Sequence, residues 1–158
     1  MLESDKPWYE GMNDEAASLW RKFLRLYQTD FESFSYNVRI GQGLDPGPSA
    51  SDATRAQWKA LTSKRADVVA TRAGQTWAIE VEPRVTARTV GQVVTYRHLL
   101  PDHWPVLGTL VSAIVCERCG YDMGQVLIKQ NILWFKFPPA GAPSLPGTFL
   151  PSAGVPLA

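Results

Sequence analysis

Apolar residues recur along the chain in two periods, and the switches between them mark out its elements. From Asn13 onward, Ala16, Leu19, Trp20, Phe23, Leu24 and Tyr27 follow helical spacing, with Asn13 as N-cap and Asp14 and Glu15 suited to the first turn. The polar residues 1–11 before it read as a lead-in loop. Residues 34–40 alternate apolar and polar and predict a strand, ended by Gly41-Gln42-Gly43. The Pro-, Gly- and Ser-dense segment that follows is a loop. Residues 54–63 predict a short helix capped by Ser51 or Asp52, with Trp58 and Leu61 turned inward.

The runs 65–72 and 76–82 are rich in Val, Ile, Ala and Trp and flank Ala73-Gly74-Gln75, which predicts an antiparallel hairpin. Pro83 ends the second strand and suits the first turn of a helix over 84–100, where Val90, Val93, Val94 and Leu99 form the apolar stripe. Residues 101–105 read as a turn, and 107–116 as a strand buried on both faces. A helix over 121–130 and a strand over 132–137 follow. The order α-β-α-β-β-α-β-α-β predicts a mixed α/β fold in one domain over residues 1–137.

Composition adds bounds. With 158 residues and 45% hydrophobic content the chain can bury a sizeable core. A formal net charge of +1 exerts no global pull on nucleic acid, so any DNA contact must come from a local basic cluster. The densest is Arg55, Lys59, Lys64 and Arg65, which reads as a solvated face or as a phosphate- or partner-contacting one. No stretch approaches the roughly 20 apolar residues of a membrane helix, so the expected location is cytoplasmic, or a particle assembled from the cytosol. Cys116 and Cys119 would need two more ligands to bind zinc; His98 and His103 have no specific spacing for it, and the pair reads as incidental. Residues 138–158 form an uncharged Pro- and Gly-rich tail that cannot fold alone. Its Leu145, Phe149, Leu150 and Val155 suggest packing against its own domain or against another chain, a protein partner or a second copy in an oligomer.

The candidate chemistry lies in the hairpin. Asp67 falls near the start of the first strand, and Glu80 and Glu82, two apart near the end of the second, point to one face. Carboxylates in apolar strands are costly to bury unless paired, protonated or bound to a metal, and a hard cation such as Mg²⁺ suits such a cluster. Arg84, Arg88, Gln92 and Tyr96, each four apart, form a polar ridge beside it. Arg84 and Arg88 there either neutralise a phosphate or ion-pair with Glu80 and Glu82 in place of a metal.

At these residues the chain resembles the PD-(D/E)XK nuclease superfamily, whose pattern is an acidic residue on one hairpin strand, (D/E)-x-K on the next, and a helix carrying Gln and Tyr four apart. Asp67, Glu80-Val81 and Gln92-x-x-x-Tyr96 match; Glu82 stands where the lysine is expected, as it does in some restriction endonucleases of the superfamily that cut DNA with Mg²⁺. The resemblance spans residues 13–137 and implies a restriction-endonuclease-like αβββαβ core with an inserted helix and an extra α-β unit. It implies that Asp67, Glu80 and the Val81 carbonyl hold Mg²⁺ (or Mn²⁺), with Glu15 of the first helix as the candidate to join them, although the simpler reading of Glu15 is that it complements the helix dipole. Glu82 would be a general base or ligate a second ion, and Gln92 and Tyr96 would position the site. Arg84, Arg88, Arg65 and Lys64 would contact the DNA. The implied activity is metal-dependent hydrolysis of DNA phosphodiester bonds. The alternative is an inactive nuclease-like scaffold, a structural protein of a DNA-handling assembly such as a phage neck or connector in the virion. A DNA-binding module without cleavage is a third reading.

Overall fold

The computed structural model describes residues 2–139 and 141. The chain forms helix α1 (Asp14–Tyr27), strand β1 (Ser33–Ile40), helix α2 (Asp52–Thr62), strands β2 (Lys64–Arg72) and β3 (Gln75–Val81), helix α3 (Ala87–His103), strand β4 (Leu110–Cys116), helix α4 (Tyr121–Lys129) and strand β5 (Leu133–Lys136). The element order is the one the hydrophobic pattern predicts. The five strands make one mixed sheet in the order β1-β2-β3-β4-β5, antiparallel from β1 to β3 and parallel from β3 to β5.

The sheet separates two helical layers. On one face α1 inserts Trp20 and Phe23, stacked at 4.8 Å, among Val68, Ile79, Val81, Ala113, Val115 and Phe135. Asn13 caps α1 as expected, its Oδ1 accepting from the Ala16 amide at 2.9 Å. On the other face α3 sets Tyr96 and Leu100 over Val69 and Ala78, while Val93 joins Leu127 of α4 over Ile114 and Cys116. Burying Trp20, Phe23, Leu19 and Leu24 completely supplies about 1.5–3 kcal/mol per side chain to this layer.

Several details differ from the pattern. The hairpin turn is Ala73-Gly74 alone, with φ of 48° and 73°, so Gln75 opens β3 and Glu82 lies beyond its end. Trp58 and Leu61 do not face inward: they are 45% and 72% exposed, and no residue of α2 is buried. β1 and β2 pair directly with each other, and α2, carried in the excursion between them, contributes no residue to the core on either face of the sheet. Ser51, not Asp52, caps α2. Helix α3 begins at Ala87, not at 84, because Thr86 and Thr89 close a reciprocal capping box. Residues 83–85 are meanwhile held by Arg118, whose amide donates to the Pro83 carbonyl and whose carbonyl accepts from Val85, each at 2.9 Å. The same helix runs through Pro101 to His103 where a turn is expected; a proline in the last turn forfeits only one backbone hydrogen bond. Strand β4 starts at Leu110, leaving Leu107 exposed. The expected partner role of the tail falls almost entirely outside the described residues.

One irregularity shapes the rest. Phe34 and Tyr36 of β1 pack on the α1 side, yet Val38 and Ile40, of the same parity, pack under α3. Between them Asn37 has φ of 51°. In β2 the same reversal separates Ala66, under α3, from Val68, under α1, with Asp67 between. Both strands therefore turn over at the Asn37–Asp67 level. There β2 leaves β3: their pairing runs from Arg72↔Gln75 to Val68↔Ile79 and goes no further. Asn is among the few residues that enter the left-handed region readily. Asn37→Val is expected to cost about 1–3 kcal/mol relative to Asn37→Gly in urea unfolding, because a β-branched residue is strained at that φ; equal midpoints for the two variants would contradict this account.

Candidate active site

Where β2 and β3 separate, the sheet opens into a cleft of about 450 Å³. Asp67 enters it from β2, Glu80 and Val81 from β3, Glu82 and Arg84 from the segment that follows, Gln92 from α3, and Glu15 from the first turn of α1. The topology thus brings together the three hairpin acids, Glu15 and Gln92.

The fork itself is closed by a side chain. Beyond Val68↔Ile79 the β3 backbone has no partner in β2, and Asp67 Oδ2 accepts from the Val81 amide at 2.9 Å in its place. Glu80 is the most enclosed acid, 2% exposed, and its Oε2 accepts from the Tyr96 hydroxyl at 2.6 Å. Tyr96 is buried on α3, so the helix holds Glu80 by a short hydrogen bond that α3's packing on the sheet enforces. Glu82 and Gln92 are half-buried; Glu15 is exposed at the rim.

Burial and mutual repulsion hold a proton in this cluster. Burial pushes the Glu80 carboxyl up to about 8, and the neighbouring Asp67 charge adds to it. Burial likewise pushes Asp67 up to about 6, against the lowering effect of the Val81 amide. The contact between the two carboxyls further raises Glu80 and lowers Asp67, moving the pair apart. Burial and the Glu80 charge push the Tyr96 hydroxyl well above the usual tyrosine range, so it remains a donor. The pair as a whole therefore holds its last proton toward neutral pH, and the larger rise is at Glu80.

The basic residues do not neutralise these acids. Among the described residues the ion pairs are Lys6–Glu3, Lys22–Glu117, Arg55–Asp45 and Arg72–Asp30, none of them in the cleft. The expected alternative, in which Arg84 and Arg88 pair with Glu80 and Glu82, is not what the structure has. Arg84 lies outside the helix and lines the cleft, exposed; Arg88 is exposed on the first turn of α3 and does not line it. The anticipated four-residue ridge is accordingly broken at its first member. Lys64 and Arg65 are exposed at the start of β2, and Arg65 donates to the Asn37 carbonyl at 3.0 Å.

Among the described residues no group of three His, Cys, Asp or Glu side chains stands together as a ready-made ligand set. The donor chemistry of the Asp67–Glu80 pair still fits a hard divalent cation: two carboxyl groups already share a site that disfavours two negative charges, and a cation relieves what the shared proton relieves. Cys116 is buried with its thiol pushed up to about 12 by burial, and Cys119 is half-buried with its thiol raised for the same reason. Gly11 and Asn13, which also line the cleft, were not legible as site residues; the one hint was the placement of Asn13 as cap of the helix that carries Glu15.

No family model, curated protein or solved structure matches this chain. Among the described residues no helix is long and apolar enough to cross a membrane.

Because the folded chain holds the Glu80 and Asp67 protons more tightly than the unfolded chain, whose Asp and Glu titrate at about 3.9 and 4.3, folding stability from this pair is fullest at low pH. It falls as pH rises from about 4.5 through about 8. Urea midpoints measured across this range are expected to decline for the native protein and to decline less for Glu80→Gln, which keeps a neutral polar group at every pH. Identical slopes in the two proteins would contradict the shared-proton description.

Proposed function

We propose that this protein is a divergent PD-(D/E)XK-type domain that hydrolyses DNA phosphodiester bonds with a divalent metal ion, Mg²⁺ or Mn²⁺. In this reading α1, β1 to β3, α3 and β4 are the restriction-endonuclease-like αβββαβ core, α2 is an insertion and α4–β5 an added unit. The observation that carries the reading is the convergence of Asp67, Glu80 and Glu82 on one open cleft, with no Arg or Lys paired to them and Glu15 at the rim.

Asp67, Glu80 and the Val81 carbonyl would hold the ion, with Glu15 able to join them from α1. The ion supplies Lewis-acid activation of a phosphate oxygen and of the attacking water. Tyr96 keeps Glu80 aimed at the cleft, and the Val81 amide does the same for Asp67. Glu82, half-buried and without a basic partner, accepts the proton of the attacking water as general base. Gln92 offers an amide to the phosphate backbone. Arg84 is the cation at the cleft and takes over part of the charge stabilisation that the family lysine supplies. Losing a fixed cation or donor at a transition state costs about 3 kcal/mol, so turnover is slow.

The inactive-scaffold reading has its own support. Glu82 adds negative charge where the family has a lysine, and α2 leaves Trp58 and Leu61 exposed as an apolar surface for another component of an assembly.

A plasmid-nicking assay with Mg²⁺ or Mn²⁺ separates the two. The expected result is slow nicking that Asp67→Ala and Glu80→Ala each reduce by about 10²–10³-fold and that Glu82→Lys increases. No cleavage by folded protein on duplex or single-stranded DNA would remove the nuclease reading in favour of the scaffold.

A further inference from the structure

We propose that the hollow between the end of β1, α2 and the last turn of α3 is a phosphate-binding site, filled by a backbone phosphate of the DNA whose cleavage is proposed above. The assignment of the source rests on that reading; the site itself does not. The hollow, about 360 Å³, is lined by Arg39, Gly41, Gln42, Lys59 and His103, with no acidic side chain among them. Among the described residues Arg39, Lys59 and His103 take part in no ion pair. The nearby Asp45 does not line the hollow and is already committed. Its carboxyl accepts from the Gly47 amide at 2.9 Å and pairs with Arg55; the amide, then Arg55 and Lys59, hold it below the usual carboxylate range.

Arg39 and Lys59, neither in an ion pair among the described residues, add positive charge at one hollow, of which Asp45 offsets only part because it is already paired with Arg55, and an oxyanion is attracted there. Arg39 and Lys59 also outweigh the roughly half negative charge of the carbonyl end of α3. Two glycines shape the loop that lines the hollow. Gly41 and Gly43 have φ of 77° and 73°; a Cβ at Gly43 would fall 2.2 Å from the Lys59 carbonyl oxygen and one at Gly41 3.3 Å from Leu99 Cδ1. Glycine lets this loop wedge between the backbone of α2 and the side of α3, where Gly41, Gln42 and Lys59 line the hollow.

The position suits a nucleic-acid backbone running past the cleft. Arg39 pairs with Arg65 and Ile40 with Lys64, so the hollow begins two residues beyond the Asn37–Asp67 level. That is about 7 Å along the strand, or two nucleotide rises of about 3.4 Å.

The test follows the Gly41 and Gly43 amide resonances while the full chain, in metal-free buffer, is titrated with inorganic phosphate and separately with a short DNA duplex. Both ligands are expected to shift these resonances. In the Arg39→Gln/Lys59→Gln variant the shifts should vanish with the rest of the spectrum unchanged, duplex affinity should fall about tenfold at low salt, and the salt dependence should lose a slope of about 2. Shifts with inorganic phosphate alone would support the site and assign it to a soluble phosphate compound. Absence of shifts with either ligand, or shifts that survive in the double variant, would overturn it. Since no metal is present and no cleavage is read, phosphate binding here together with a silent plasmid assay would remove the nuclease reading and leave this site standing.

Discussion

The arrangement of the cleft depends on one hydrogen bond, from the Val81 amide to the Asp67 carboxylate. A sheet that parts between two strands exposes backbone donors, and a buried donor without a partner costs about 1–3 kcal/mol. Asp67 fills that need with a side chain, so β2 can leave β3 without orphaning the β3 backbone. The same act brings a carboxylate against Glu80, which Tyr96 holds from the opposite side. The fork in the sheet and the acidic cluster are one feature, and the retained proton is the electrostatic consequence of building it inside the fold.

The two helical layers make the fork rigid. Trp20 and Phe23 of α1 press on Val68, Ile79 and Val81 from one side, immediately beneath the point of divergence. Tyr96 and Leu100 of α3 support the reversed halves of β1 and β2 from the other, through Val38, Ile40 and Ala66. Asn37 is the hinge that lets a single strand serve both layers, because its left-handed backbone exchanges the faces without adding a residue to the register with β2. The outer half of β1, the loop through Gly41 and Gly43, and α2 then form a wing beside the cleft. Its exposed face is basic and partly apolar, unlike the acidic interior of the fork.

Much of this was legible before the fold was known. The α1 stripe from Ala16 to Leu24, the hairpin around Gly74 and the apolar run of β4 were readable because their burial follows directly from local period. Asp67, Glu80 and Glu82 stood out as acids inside apolar strands, and Gln92 and Tyr96 as polar residues one helical turn apart. The misreadings share a cause. Trp58 and Leu61 have an inward pattern, yet whether a helix has anything to cover depends on which strands pair around it. The start of α3 was placed by Pro83, a local signal, whereas Arg118, more than thirty residues away, holds residues 83–85 in an extended path. Arg84 and Arg88 looked like neighbours on one ridge and are separated by that difference.

By itself the sequence determined the succession of elements and which residues are chemically expensive to bury, since both follow from side-chain type and short-range spacing. Tertiary structure alone decided which of those residues meet. It set Asp67 against the Val81 amide, laid the Tyr96 hydroxyl on Glu80, left Arg84 at the cleft and Arg88 outside it, and gathered Arg39, Lys59 and His103 at a second hollow. These contacts join positions far apart in the chain, and their geometry arises from strand pairing, a reversal of faces at Asn37 and the packing of two helical layers, none of which is encoded within a local window.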